Sequence, residues 1–201
     1  MLPQDPLLPE SQIEESQPET QAAAQLRPET GRGNGLSLWL RDIAIAVGAS
    51  VFIIMFLYQP VRVEGISMLP RLENDDRLFI NKFLYHFAAI RRGDVVVFNY
   101  PRNPQTSYIK RVIALPGDRI RIDRGDVYVN GRRLHEPYVP EEFRDEKSML
   151  EMVVPEQQYF MMGDHRSISS DSREFGPVDR GLIYGKAVFV YWPARDAGVV
   201  N

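Results

Sequence analysis

Cysteine is absent from the 201 residues, which removes disulfides, thiolate metal sites and thiol nucleophiles together. Histidine is scarce: His86, His135 and His165 lie far apart in the chain and offer little to a transition metal. Lysine is scarce as well, with Lys82, Lys110, Lys147 and Lys186 set against twenty Arg. Excess positive charge is also missing. The formal charge is −3, and beyond the first 35 residues, which hold six acids and two bases, the chain carries 22 bases against 21 acids. There is no basic field for nucleic acid, and none is expected as a partner.

What is present falls into three parts. From Met1 to Gly35 the chain is rich in Pro, Gln, Glu, Ala and Gly, with five of its fifteen prolines and almost no large apolar residue after Leu8. Such a stretch buries too little to order itself, so residues 1–35 are expected to form a disordered tail. Ile43 to Val61 then run nineteen positions without a charge, close to the ~20 that a bilayer-spanning helix needs. With Leu36 to Leu40 added, this predicts a transmembrane helix over residues 36–60. Trp39 and Tyr58 lie near its ends, where interfacial aromatics are favoured, and Arg41 can snorkel to the headgroups. The roughly forty polar residues ahead of the run argue against a removed signal peptide, and the want of a polar face argues against a buried helix. Lys and Arg tie at two on each flank (Arg32 and Arg41, Arg62 and Arg71), so charge does not set the orientation.

Residues 61–201 suffice for one domain that buries roughly two thirds of its unfolded surface. Asp94–Phe98, Tyr108–Leu115, Arg119–Ile122, Val127–Val129, Tyr159–Met162 and Ala187–Trp192 are β-branched or aromatic runs bounded by turn residues. A mainly β, antiparallel domain is predicted. Asn130-Gly131 is the strongest hairpin signal, because both central residues of a type I′ turn need positive φ. Only Leu78 to Ile90 has a helical pattern, a weak one that an extended segment would also fit. Two Arg-Gly-Asp triplets, at 92–94 and 124–126, sit where turns feed strands and need no adhesive role.

Without a cysteine and with few histidines, a hydrolase on this chain has a Ser or Thr worked by Lys, or a carboxylate pair, as its options. Lys110 is the one lysine inside an otherwise apolar run. Strand alternation places Tyr108, Lys110, Val112 and Ala114 on one face and Ile109, Arg111, Ile113 and Leu115 on the other. An ammonium kept from water loses hydration, so its pKa falls and the neutral amine becomes available as a base. The plainer reading is a lysine whose stem packs on the sheet while its amine reaches solvent. Ser67 lies just beyond the apolar run in Val-Glu-Gly-Ile-Ser-Met-Leu-Pro, where a glycine and a proline suggest a fixed, irregular backbone able to present a hydroxyl and an amide N–H together. Any loop serine meets that description.

Four blocks in order change the weight of these residues: Gly-Ile-Ser-Met-Leu-Pro (65–70), Arg-Gly-Asp-Val-Val-Val-Phe (92–98), Tyr-Ile-Lys-Arg-Val-Ile-Ala-Leu-Pro-Gly-Asp (108–118) and Met-Gly-Asp-His-Arg-Ser-Ile-Ser-Ser-Asp-Ser-Arg-Glu-Phe-Gly-Pro-Val (162–178). Together they resemble the bacterial type I signal peptidases, the membrane-bound Ser/Lys leader peptidases, over Arg41 to about Trp192. The resemblance implies Ser67 as nucleophile, Lys110 as general base, and Ser169 as the serine whose hydroxyl orients the lysine amine. It further implies Asp164 with Arg111, and Asp171 with Arg173, as pairs that hold the site's shape, and the Ser67 amide as a donor to the oxyanion. No cofactor is implied. The implied substrates are exported preproteins with small residues at the first and third positions before the cut. The implied setting is a plasma membrane, or else another internal membrane, crossed once, with lipid as a second partner and the catalytic domain on the extracytoplasmic side.

The sequence departs from the family pattern in places. Gly65 stands where some members carry a serine that serves as second oxyanion donor, Arg71 where a Thr is common, and His165 where an Asn is common. His165 beside Asp164 also admits a His-Asp dyad with Ser67, which accounts for fewer of the blocks. Two other classes remain for comparison: a tethered β-domain that binds partners without chemistry, and a self-cleaving Ser/Lys repressor-type protease, which the membrane span and the want of a DNA-binding half disfavour.

Overall fold

The computed structural model describes Gly35–Val200. The expectation for the tail falls on residues 1–34, outside the described residues, with Gly35 already the first residue of a helix. The chain divides into two compact units, the first ending at Ala46 and the second running from Val47. Helix α1 is Gly35–Leu57, a 23-residue element whose apolar side chains are exposed all round, Phe52 at 71% and Met55 at 75% among them. At 1.5 Å per residue it is ~35 Å long, enough to cross a hydrocarbon core of ~30 Å. The helix ends at Leu57 rather than at residue 60, and Tyr58–Arg62 is the first strand, β1. Pro60 explains the change: it has no N–H to continue a helix and biases Gln59 to an extended backbone. β1 is an edge strand, where a missing donor does little harm.

The elements that follow are β2 (Arg77–Asn81), α2 (Leu84–Phe87), β3 (Val95–Tyr100), β4 (Asn103–Ala114), β5 (Arg119–Asp123), β6 (Asp126–Val129) and β7 (Arg132–Arg133). After these come β8 (Met149–Val153), β9 (Gln158–Met162), α3 (Ser172–Phe175), β10 (Val178–Asp179), β11 (Ile183–Trp192) and β12 (Gly198–Val199). The mainly β, antiparallel architecture expected from the sequence is the one that forms. An eight-stranded sheet has the order β1-β2-β11-β3-β4-β9-β10 with β12 on β11, and a four-stranded sheet has the order β7-β6-β5-β8. The weak helical pattern at 78–90 resolves into strand β2, which buries Leu78 and Ile80, and a single helical turn. Asn130 and Gly131 take φ of 52° and 76°, joining Val129 to its partner Arg132 in the tight hairpin their pairing suggested.

Strand β4 positions the site. Its residues Asn103–Arg111 pair with β3, whereas β9 reaches only Arg111, Val112 and Ala114, so among the described residues the stretch before Arg111 has one unpaired side. The expected alternation holds as far as Val112 and then fails. Ala114 packs with Ile113 in the core of the smaller sheet, and Leu115 returns to the cluster of Val112, because the register shifts between Val112 and Ala114. Phe160 on β9 is fully buried in that smaller core with Ile113, Ile120 and Ile122. Phe160→Ala is expected to cost about 3–5 kcal/mol of stability by lost burial and a residual cavity. Urea unfolding of the purified protein measures it.

Candidate active site

Ser67 lies in the loop after β1, and its placement is fixed from several sides. Gly65 has φ of +98°, a conformation that side chains disfavour, and its N–H donates to Asn74 Oδ1 at 2.8 Å. Met68 and Leu72 anchor the loop in the core, with Leu72 N donating to the Met68 carbonyl at 3.0 Å. The Ser67 carbonyl accepts from His165 N at 3.1 Å, and His165 Nδ1 is 3.3 Å from the Ile66 carbonyl oxygen. No acceptor for the Ser67 N–H occurs among the hydrogen bonds of the described residues.

Lys110 points from β4 toward this loop and is only 4% exposed. Its Nζ is 2.6 Å from Ser67 Oγ and 5.1 Å from the centre of the Tyr108 ring. Burial lowers the amine from 10.5 to about 8; Arg173 pushes in the same direction, while Asp171 and Asp164 oppose it. At pH 8 roughly half of such an amine is neutral, against well under ~1% for an ordinary lysine. In the structure Nζ donates to Ser67 Oγ, and a neutral amine at this distance has a lone pair free for a proton. The other lysines differ: Lys186 is paired with Asp94 at 2.5 Å, and Lys82 and Lys147 are exposed.

Arg111 leaves the opposite face of β4. It holds Asp164 with two hydrogen bonds, Nε to Oδ1 at 2.8 Å and Nη2 to Oδ2 at 2.6 Å, both side chains being buried. Asp171 caps α3 and accepts from Gly163 N at 3.0 Å and from Arg173 Nε and Nη2 at 2.8 Å each. Burial works against that carboxylate, yet Arg173 and the Gly163 amide together outweigh it and hold Asp171 below the usual range. Ser169 is brought to the same place, close enough to help lower Asp171. Its buried Oγ, however, meets no partner with hydrogen-bonding geometry, so the expected orienting bond to Lys110 is not made in this structure. All seven residues singled out by the sequence therefore gather around Lys110 and Arg111 of β4 and the loop that follows β9.

The His-Asp alternative does not form. Asp164 is spent on Arg111, and His165 lies tilted by 46° against Phe143, ring centres 4.3 Å apart, with Nδ1 turned to a backbone carbonyl. Sequence reasoning missed Asn74 and Gly163. A Cβ on Gly163 would overlap Ser169 Oγ, Ser169 Cβ and the Ser67 carbonyl oxygen, a constraint that a Gly before an Asp does not advertise.

An open cavity of about 640 Å³ runs past the pair, between residues 61–68 and residues 105–110 of β4. Val61, Val63, Val97 and Ile109 give it apolar walls, and Ser67 and Lys110 stand among its lining residues. A hydroxyl, a buried amine and an apolar groove beside a free strand side can together perform serine-type hydrolysis of an extended peptide.

Comparison with known proteins agrees with this chemistry. The family model "Signal peptidase, peptidase S26" matches residues 36–192. The chain is 35% identical over 176 residues to signal peptidase I of Bacillus licheniformis, covering 83% of this chain and 94% of that protein. It is 38% identical over 164 residues to signal peptidase I P of Bacillus subtilis subsp. natto, covering 77% and 88%. A solved signal peptidase I from Enterococcus faecalis, 30% identical, aligns with 49% of this chain and 97% of its own at a TM-score of 0.44. The chain belongs to the signal peptidase family, peptidase S26, and is a serine endopeptidase of the signal peptidase I type.

Gly163→Ala is expected to displace the Ser67 carbonyl or Ser169 and to lower peptide cleavage by about 100-fold, the scale of a ~1 Å misplacement. Steady-state kinetics on a protein whose thermal melt is near wild type checks this.

Proposed function

We propose that this chain is a membrane-anchored signal peptidase in which Ser67 and Lys110 form the catalytic pair. The observation that carries the reading is the 2.6 Å contact between the Ser67 hydroxyl and a buried amine whose pKa is lowered to about 8. Ser67 Oγ attacks the scissile carbonyl carbon while neutral Lys110 takes its proton, and the Ser67 amide donates to the oxyanion. The ammonium then gives its proton to the departing amine, which leaves as the new N-terminus of the mature chain. Water attacks the acyl-enzyme, Lys110 takes that water's proton, and Ser67 regains its hydrogen as the peptide carboxylate leaves.

The substrate strand adds to the unpaired side of β4 before Arg111, and alternate side chains enter the groove, whose walls favour small residues at the first and third positions before the cut. Asp164–Arg111 and Asp171–Arg173 hold the surrounding loops, and Ser169 orients the lysine once substrate is bound. α1 anchors the protein in the membrane, in contact with lipid, with the body on the extracytoplasmic side of a plasma membrane and the tail in the cytoplasm. Nine residues lie between Leu57, the last of α1, and Ser67, so the nucleophile follows the anchor by only a short stretch of chain. The chain thus divides into a tail ahead of Gly35, an anchor in α1 (Gly35–Leu57) and a catalytic body from Tyr58 onward.

The test is cleavage of a preprotein by the purified protein in detergent, with N-terminal sequencing of the product. Ser67→Ala and Lys110→Ala are each expected to lower kcat by at least ~10³-fold while the domain stays folded. Near-normal turnover by either variant refutes the pair. The base works only unprotonated, so kcat/KM is expected to rise with pH through about 8 and to level off above it. An ascending limb near 10.5 would mean that Lys110 is an ordinary, hydrated lysine.

A further inference from the structure

The segment between β7 and β8, residues 134–148, belongs to the smaller sheet and supplies neither Ser67 nor Lys110. It nevertheless grips the loop 163–173 and the arginine beside it at four points. Glu136 and Arg166 form a two-pronged ion pair with both side chains 2% exposed; Arg166 Nη1 donates to Oε2 at 3.0 Å and Nη2 donates to Oε1. Tyr138 donates its hydroxyl to Glu136 Oε1 at 3.0 Å and lays its ring 4.1 Å from the Arg111 guanidinium. The Phe143 ring meets His165 at 4.3 Å, and the Phe143 carbonyl accepts from Ser167 N at 3.2 Å. Asp145 Oδ2 accepts from Arg173 Nη1 at 2.7 Å.

Each grip is relayed to the reacting groups. Arg166 Nε donates to the carbonyl of Gly163, the residue packed against Ser169 and the Ser67 carbonyl. His165 hydrogen-bonds the carbonyls of Ile66 and Ser67. Arg173, steadied by Asp145, holds Asp171 and the Arg166 carbonyl. From the far side, a Cβ on Gly125 would overlap the Asp145 carbonyl oxygen, so the β5–β6 turn backs the segment directly. Net stability is a weak reason for this arrangement, since buried ion pairs are often replaced by apolar side chains without loss. What apolar packing would not supply is a set of directional bonds that admits one geometry.

We infer that residues 134–148 are a positioning clamp for the Ser67/Lys110 pair, with Glu136 and Asp145 as positioning residues acting through Arg166 and Arg173. The inference rests on the dyad reading above. The charged groups that bear on Lys110 are Asp164, Asp171 and Arg173; Glu136 and Asp145 do not touch it. That separates two effects. Simple loss of a negative charge would make the lysine harder to protonate and move the ascending limb of kcat/KM to lower pH. Loosening the clamp admits water to the amine and moves the limb above 8.

The experiment compares full-length Glu136→Gln and Asp145→Asn with wild type in detergent on one preprotein, measuring kcat, KM, the pH profile of kcat/KM and the thermal melt. Arg119→Gln, which breaks the exposed Arg119–Glu151 pair on the smaller sheet, is the control expected to behave as wild type. The expected result for both clamp variants is a kcat lower by about 10–100-fold, as for other residues that orient reacting groups, KM within about threefold, and a limb displaced upward. A kcat equal to the control's, or a limb unmoved or moved down, overturns the clamp. Should Glu136→Gln not fold, Phe143→Leu on the half-buried turn is read by the same criteria. Ser67→Ala and Lys110→Ala run in parallel: if they lose cleavage while the clamp variants match the control, the clamp alone falls. If either still cleaves, the dyad falls and the clamp with it.

Discussion

An amine pressed into an apolar wall against a hydroxyl is the contact on which this structure is organised. Removing Lys110 from water disfavours its charged form, and that alone makes a weak acid–base group useful near neutral pH. Two carboxylates stand close by and would undo the effect if left uncompensated. Each has its own arginine: Asp164 is gripped from the far face of β4 by Arg111, and Asp171 by Arg173 from within its own helical turn. Both carboxylates still favour the charged amine, Arg173 offsets part of that, and desolvation outweighs the remainder and decides the state of the lysine.

The serine is fixed by a different device. Its loop is held almost wholly through the main chain, by Asn74 at Gly65, by His165 at the Ser67 and Ile66 carbonyls, and by the core anchors Met68 and Leu72. The hydroxyl is left to Lys110, and no acceptor for the Ser67 amide occurs among the hydrogen bonds of the described residues. Gly65 adopts a backbone that a side chain would strain, so the absence of a Cβ there sets the shape of the loop.

Much of this was legible in the order of residues. The runs DVVVF, YIKRVIAL and AVFVYW read as strands because their β-branched and aromatic content is bounded by turn residues, and Asn130-Gly131 announced its hairpin because few other pairs accept positive φ twice. Lys110 could be singled out because a charge in an apolar run demands an explanation. Less accessible were features that depend on distant partners. The register shift after Val112 reverses the sides of Ala114 and Leu115, and nothing local marks it. Glu136 and Asp145 look like ordinary surface acids until Arg166 and Arg173, 30 and 28 positions further on, fold against them. Pro60 was visible, yet its effect on the helix end required knowing that an edge position was waiting for the chain that followed.

A strand with one bare side is a hazard as well as a tool, since any passing polypeptide, including another molecule of the same protein, can hydrogen-bond to it. Along β4 the bare portion begins with Asn103-Pro104, and Gln105, Thr106 and Ser107 are exposed and hydrophilic. Pro104 withholds one donor, and its neighbours offer no greasy flank for adhesion. Casual sticking is therefore discouraged along this stretch, because a passing chain finds no apolar side chains there to bury.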